Sequence, residues 1–292
     1  MDWTPAELLS LIHNAQGMPL PFGFQLLREN LLGMVRFLGL GFFDLDNFQA
    51  NFDSKEFIDL LDTAMLLQSY VDIPFELFWD GPVMEVLRME AGDQILSMVS
   101  FANPSTYQMF MESLDDSFAL GLPTATGGEH IVTNYSTIGI GTSTNHTGAA
   151  WEFLRSFLLP SASEFDHGIM GDIGFPIRID LFNELIEDVM TPRTFVNTDG
   201  ETIEYPRETL NTHDGSGRVE LRAMKPETAN SFRALIESAV PAKRGIGEEL
   251  WAIIEGDLAE FYAGARSAEE TARIIQNRAE RWLSEQQLLV GG

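Results

Sequence analysis

Apolar residues recur at helical spacing in the opening part of the chain. Leu8, Leu11 and Ile12 form a stripe behind Thr4, Pro5 and Glu7, the residue types of a capping box with proline at the first helical position. Phe57, Leu60, Leu61, Ala64 and Met65 repeat the pattern behind Asp53 and Glu56, and residues 25–40 predict a helix between the two. The period then changes. Residues 94–101 and 118–122 predict short strands closed by Pro104 and Pro123, and the β-branched, glycine-punctuated run 131–142 predicts a third. Helical spacing returns at 147–158, which carries Trp151, Phe153, Leu154, Phe157 and Leu158. Residues 191–222 are polar and turn-rich around Asp199-Gly200 and Asp214-Gly215, as in a surface excursion with a hairpin. Helices are predicted over 227–239, 248–262 and, capped by Ser267 with Glu270, 267–285, where Ile274, Ile275, Ala279, Trp282 and Leu283 recur. The pattern is α/β and helix-rich.

Length and charge narrow the function. A chain of 292 residues fits one large or two small domains, and 21 Phe with 12 Met supply a generous core. The net charge of −26 repels phosphate backbones and anionic lipid surfaces. The only lysines are Lys55, Lys225 and Lys243, so no nucleic-acid partner is expected. The absence of cysteine removes disulfides, thiolate metal sites and cysteine nucleophiles. No apolar run is long enough to span a bilayer, and the first residues lack the basic and apolar regions of a signal peptide, so none is expected within this chain.

The motifs of catalysis fail on spacing. His13, His130, His146, His167 and His213 are scattered, with no pair on one helical turn, so neither a metal site nor a cofactor is expected. Asp44-x-Asp46 lacks the glycine and closing glutamate of a calcium loop. Gly127-Gly128 lacks the lysine of a phosphate loop, and Ser143 is not in a nucleophile elbow. The 44 acidic residues make any one carboxylate pair uninformative, which leaves a glycosidase using paired carboxylates as the alternative reading. Aromatic residues are the other resource, since sugars offer flat C–H faces to rings. Trp79, Phe101, Tyr135 and Trp251 are candidates, each with core packing as the competing role.

Three stretches together resemble the family 1 extracellular solute-binding proteins of ABC importers. Trp3-Thr-Pro-Ala-Glu-Leu, followed by Asn51-Phe-Asp-Ser-Lys-Glu-Phe, is similar to the family's TW-x-E-L helix start and F-D-S-x-E-F segment. Residues 118–158 resemble its strand, P-x-x-G turn, return strand and A-W-x-F helix. Residues 248–285 resemble its terminal helix, and Gly174-Phe-Pro-Ile-Arg its turn after the hinge helix. The resemblance implies a periplasmic-binding-protein-like type II fold, mostly lobe 2 with a partial lobe 1. Lobe 2 would comprise 1–128 and 177–292, and the lobe 1 piece with its hinge crossings 129–176. The rest of lobe 1 and the first strand of lobe 2 would lie outside this chain.

By the same resemblance the protein is not an enzyme. The resemblance implies a receptor, extracytoplasmic and lipoprotein-like, that would close on a small-molecule ligand, an oligosaccharide, and deliver it to an ABC permease. By that resemblance Phe101 falls where the family places an aromatic after the lobe 2 strand, Asn134, Tyr135 and Ser136 precede the strand that crosses into lobe 1, and Trp251 stands at the place of a stacking tryptophan; these five are the expected ligand contacts. Self-association through the truncated lobe 1 face is expected, and a degenerate module that no longer binds ligand is a further alternative.

Overall fold

The computed structural model describes residues 3–15, 22–23, 27–38, 41–69, 81–124, 127–132, 139–157, 175–176, 178–241 and 246–290. Among them the fold is mixed α/β, with ten helices and five two-stranded sheets. In chain order the first elements are α1 (Pro5–Asn14), α2 (Arg28–Leu38), β1 (Phe43–Asp44), β2 (Gln49–Ala50), α3 (Lys55–Ala64), α4 (Gly81–Glu90) and α5 (Pro104–Ser113). Next come β3 (Leu122–Thr124), β4 (Gly127–Glu129), β5 (Ile131–Val132), α6 (Thr147–Phe157) and α7 (Ile179–Met190). The hairpin strands β6 (Arg193–Val196), β7 (Thr202–Tyr205), β8 (Glu208–Asn211) and β9 (Arg218–Leu221) follow. The chain ends with α8 (Pro226–Ser238), β10 (Val240–Pro241), α9 (Glu248–Tyr262) and α10 (Ala268–Val290).

The helix ends follow their capping residues. The Thr4 N–H donates to the Glu7 carboxylate at 2.8 Å, and α1 buries Leu8 and Ile12 as its stripe requires. At α3 the cap differs from expectation: Ser54, not Asp53, stands at the N-cap and accepts from the Phe57 N–H at 3.3 Å. Both residues are good caps, and the one a single position before the first helical turn reaches the third amide. Helix α9 stops at Gly264, whose φ of 70° is open to glycine without strain. Gly264 and Ala265 donate to the carbonyls of Phe261 and Glu260 at 2.9 and 3.0 Å, closing the last turn.

Three clusters form the core. Helices α1, α2, α3, α9 and α10 surround the first, in which Phe52, Phe57, Leu61, Leu250, Ile254 and Ile275 are fully buried. Gln276 of α10 fastens the β1–β2 hairpin to this cluster. Its side-chain oxygen accepts from the Phe52 N–H at 2.6 Å and its nitrogen donates to the Ala50 carbonyl at 3.0 Å. A second cluster joins α5, α7 and α8 through Tyr107, Phe182, Ile186 and Phe232. The third joins α4, α5 and β9 through Val83, Val86, Met109, Phe110 and Leu221.

The last helix is capped as predicted, the Glu270 N–H donating to the Ser267 hydroxyl at 3.2 Å. It buries Ile275, Ala279 and Leu283, while Ile274 and Trp282 are half-buried. Ser267→Ala is expected to cost about 1 kcal/mol, read as a lower urea midpoint at unchanged slope.

The strands depart most from expectation. Among the described residues, 94–101 pair with no strand, and of the run 118–122 only Leu122 enters one, in an antiparallel pair of β3 with β4. Of the described part of 131–142, Ile131 and Val132 are strand, pairing in parallel with Val240 and Pro241, and 139–142 are not; 133–138 lie outside the described residues. A strand exists only where a neighbour completes its hydrogen bonds, which periodicity alone cannot specify. Residues 191–222 hold two hairpins, β6–β7 and β8–β9, instead of one. Among the described residues no helix is long and apolar enough to cross a membrane.

Candidate functional site

Phe101 is positioned by the start of α5. Asn103 caps that helix, its side-chain oxygen accepting from the Thr106 N–H at 2.9 Å, with Pro104 at the first helical position. The Phe101 ring meets Tyr107 edge to face at 5.1 Å. Tyr107 in turn lies 4.9 Å from the Phe232 ring, and its hydroxyl bonds to that of Ser231 at 3.0 Å. The half-buried phenylalanine thus packs on α5 and, through Tyr107, on α8.

Two cavities adjoin there, sharing Gly81, Pro82 and Thr106. The larger, about 970 Å³, is lined by Phe101 with Trp3, Phe110 and Phe118, together with the acids Glu85, Asp115, Asp116 and Glu129. The smaller, about 420 Å³, is mixed: Asn103, Ser105, Asn211, Thr212 and His213 line it from the α5 start and the β8–β9 turn, with the acid Glu208 and the apolar Val83, Met109 and Leu210. That turn is locked by Asp214, which accepts from the amide and hydroxyl of Ser216 and the hydroxyl of Thr212. These bonds hold its carboxyl at about 2.

Glu85 is a buried acid, 7% exposed, on the wall of the larger cavity. Burial pushes its carboxyl above the ordinary range, while a hydrogen bond from the Ser97 hydroxyl and the charge of Arg88 oppose the shift. Arg88 also donates to Gln94 at 3.0 Å, and Gln94 to the Leu96 carbonyl at 3.1 Å, tying α4 to the wall formed by residues 94–101.

Of the residues expected to contact ligand, Phe101 lines the larger cavity. Trp251 is 9% exposed within the first core cluster and lines neither cavity, so the two are not brought together. Asn134, Tyr135 and Ser136 lie outside the described residues, as does Trp79. Glu85 carried no sequence signal among so many acids. The Asn103-Pro104 cap that fixes Phe101 escapes the sequence reading: Pro104 reads as the end of a strand, although asparagine before proline is also a helix-start signal. Among the described residues no three His, Asp or Glu side chains are grouped to hold a metal ion. In comparison with known proteins, no family model matches the chain and no curated sequence matches it.

Proposed function

We propose that the chain is a non-catalytic receptor for a small solute, carbohydrate in class, which it delivers to an ABC permease outside the cytoplasm. The observation that carries this reading is the setting of Phe101. A half-buried aromatic ring borders a large cavity, and two residues on, Asn103 begins a smaller one in which hydroxyl and amide groups stand beside Glu208, His213 and apolar side chains. A ring for a sugar's C–H face beside fixed donors and acceptors for its hydroxyls is what a carbohydrate site needs.

The proposed division into lobe 2 (1–128 and 177–292) and a lobe 1 piece (129–176) is supported by the parallel pair of Ile131–Val132 with Val240–Pro241, which suits a hinge crossing. Self-association through α6 is supported by Trp151 and Phe153, which are 50% and 63% exposed.

Saturation-transfer NMR with maltotriose tests the reading. Binding is expected to be millimolar, because a site open on one side buries only part of its ligand. Phe101→Ala should weaken it about tenfold, or 1.4 kcal/mol, while Trp151→Ala leaves it unchanged. No transfer to maltotriose, with clear transfer to a peptide or polyamine, would overturn the choice of ligand.

A further inference from the structure

The β6–β7 and β8–β9 hairpins turn on the same pair of residues, Asp199-Gly200 and Asp214-Gly215. Aspartate before glycine is a reactive pair. With no Cβ to shield it, the glycine amide nitrogen can reach the carboxyl carbon of the residue before it.

The two turns are matched in most respects. Gly200 and Gly215 have φ of 80° and 72°, and their N–H groups donate to the carbonyls of Asn197 and Thr212, at 3.1 Å in both. Both aspartates are exposed. The nucleophile is therefore held alike in the two, and access to water does not separate them.

They differ at the carboxylate. Asp214 Oδ1 accepts from the Thr212 hydroxyl at 2.7 Å and from the Ser216 amide and hydroxyl at 3.0 and 2.7 Å. In the first turn another side chain takes that place. Asn197 Oδ1 accepts from the amides of Asp199 and Glu201 at 3.0 and 2.9 Å, and Asn197 Nδ2 donates to the Glu201 carboxylate at 3.1 Å. Among the described residues the Asp199 carboxylate accepts no hydrogen bond and joins no ion pair. Ring closure needs the side chain to swing onto the glycine nitrogen. It also needs a protonated carboxyl, since the neutral acid loses water where the carboxylate would have to expel oxide. The bonds to Oδ1 hold the Asp214 side chain in place and keep its carboxyl at about 2. Near neutrality this lowers the protonated fraction roughly a hundredfold from that of an ordinary aspartate.

We propose that Asp199-Gly200 is a site of spontaneous backbone modification, converting to β-linked isoaspartate through a succinimide, and that the β8–β9 turn protects Asp214-Gly215 from the same reaction. The Gly200 nitrogen forms a bond to Asp199 Cγ, and the carboxyl's hydroxyl leaves with that nitrogen's proton as water. Water then adds back to the ring. Opening at Cγ restores aspartate, and opening at the main-chain carbonyl routes the chain through Cγ. No oxidant or cofactor enters, and the mass is unchanged overall. None of these four residues lines either cavity, so the inference does not rest on the carbohydrate reading.

Ageing the full chain at neutral pH, followed by peptide mapping with electron-transfer fragmentation, measures isoaspartate at both positions in one sample. It should accumulate at 199 about tenfold or more faster than at 214. In urea above the unfolding midpoint the two rates should converge, because the turns that distinguish them are gone. Ser216→Ala removes one donor from an exposed position and should speed the reaction at 214 severalfold while leaving 199 unchanged. Equal rates in the folded chain would overturn the proposal, as would no isoaspartate at 199 over the time in which the unfolded chain forms it. A ratio that persists in urea would place the difference in neighbouring sequence instead of the turns, and an unchanged rate at 214 in Ser216→Ala would remove the protecting role of its hydrogen bonds.

Discussion

Phe232→Ala is expected to remove about 3–5 kcal/mol of stability, a large fraction of what a domain of ordinary stability has. Phe232 is fully buried at the centre of the second cluster, with Tyr107, Phe175 and Phe182 at ring distances of 4.9, 5.5 and 6.4 Å. These neighbours are poorly placed to fill the void. Tyr107 is tied to Ser231 by its hydroxyl, and Phe182 lies under the Arg233 guanidinium at 5.7 Å, with Arg233 bonded to Asn183. A cavity that cannot collapse adds its own cost to the lost transfer energy. Phe232→Leu keeps most of the volume and should cost less than about 1.5 kcal/mol. Urea unfolding decides the matter: a loss below about 1 kcal/mol for the alanine variant would mean that α5, α7 and α8 do not share a packed core. Because Tyr107 bridges Phe232 and Phe101, the proposed function makes the alanine variant weaken maltotriose binding as well, wherever the chain remains folded.

The residues that made helices legible are those whose effects are local. Thr4 with Glu7 and Ser267 with Glu270 each act within one turn, and each acts where the sequence placed it. Asp53 against Ser54 was undecidable in sequence, because both side chains can cap and the backbone selects between them. Turn signals behaved similarly. Gly200 and Gly215 have φ of 80° and 72° at the tips of two hairpins, but the sequence did not tell how many strands lay between them.

What was not legible is pairing. Residues 94–101 carry a strand's alternation, and the structure honours it by dividing their side chains between core layers, yet no described strand lies beside them. Alternation reports which faces are buried; a ladder depends on residues far away in the chain. The site shows the same limit. Phe101 could be singled out as an aromatic at the end of an apolar run, whereas Trp251, equally aromatic, went to the core. Glu85 needed its burial to become distinct, and burial is a property of the fold.

The buried ion cluster at the α9–α10 turn sets a second large expectation. Asp257 is 2% exposed and belongs to α9, and its carboxylate is met by two cations from beyond the turn. Arg266 donates to one oxygen at 2.9 Å, and Arg278 of α10 stands 3.2 Å from the other as an ion pair without an aligned hydrogen bond. Arg278 is half-exposed, so Arg278→Ala alone should cost less than about 1 kcal/mol. Arg266 is better shielded and makes the hydrogen bond, so its loss should cost more, about 1.5–3 kcal/mol. Removing both leaves a buried carboxylate with neither cation, and the double variant should lose about 3–5 kcal/mol, more than the single losses combined. Adding Asp257→Asn to the double variant takes away the stranded charge and should restore much of that loss, which simple loss of arginine packing would not allow. If the double variant unfolds within about 1 kcal/mol of the parent, these ion pairs add no more than exposed ones do, and the α9–α10 turn is held by Gly264 and apolar packing alone.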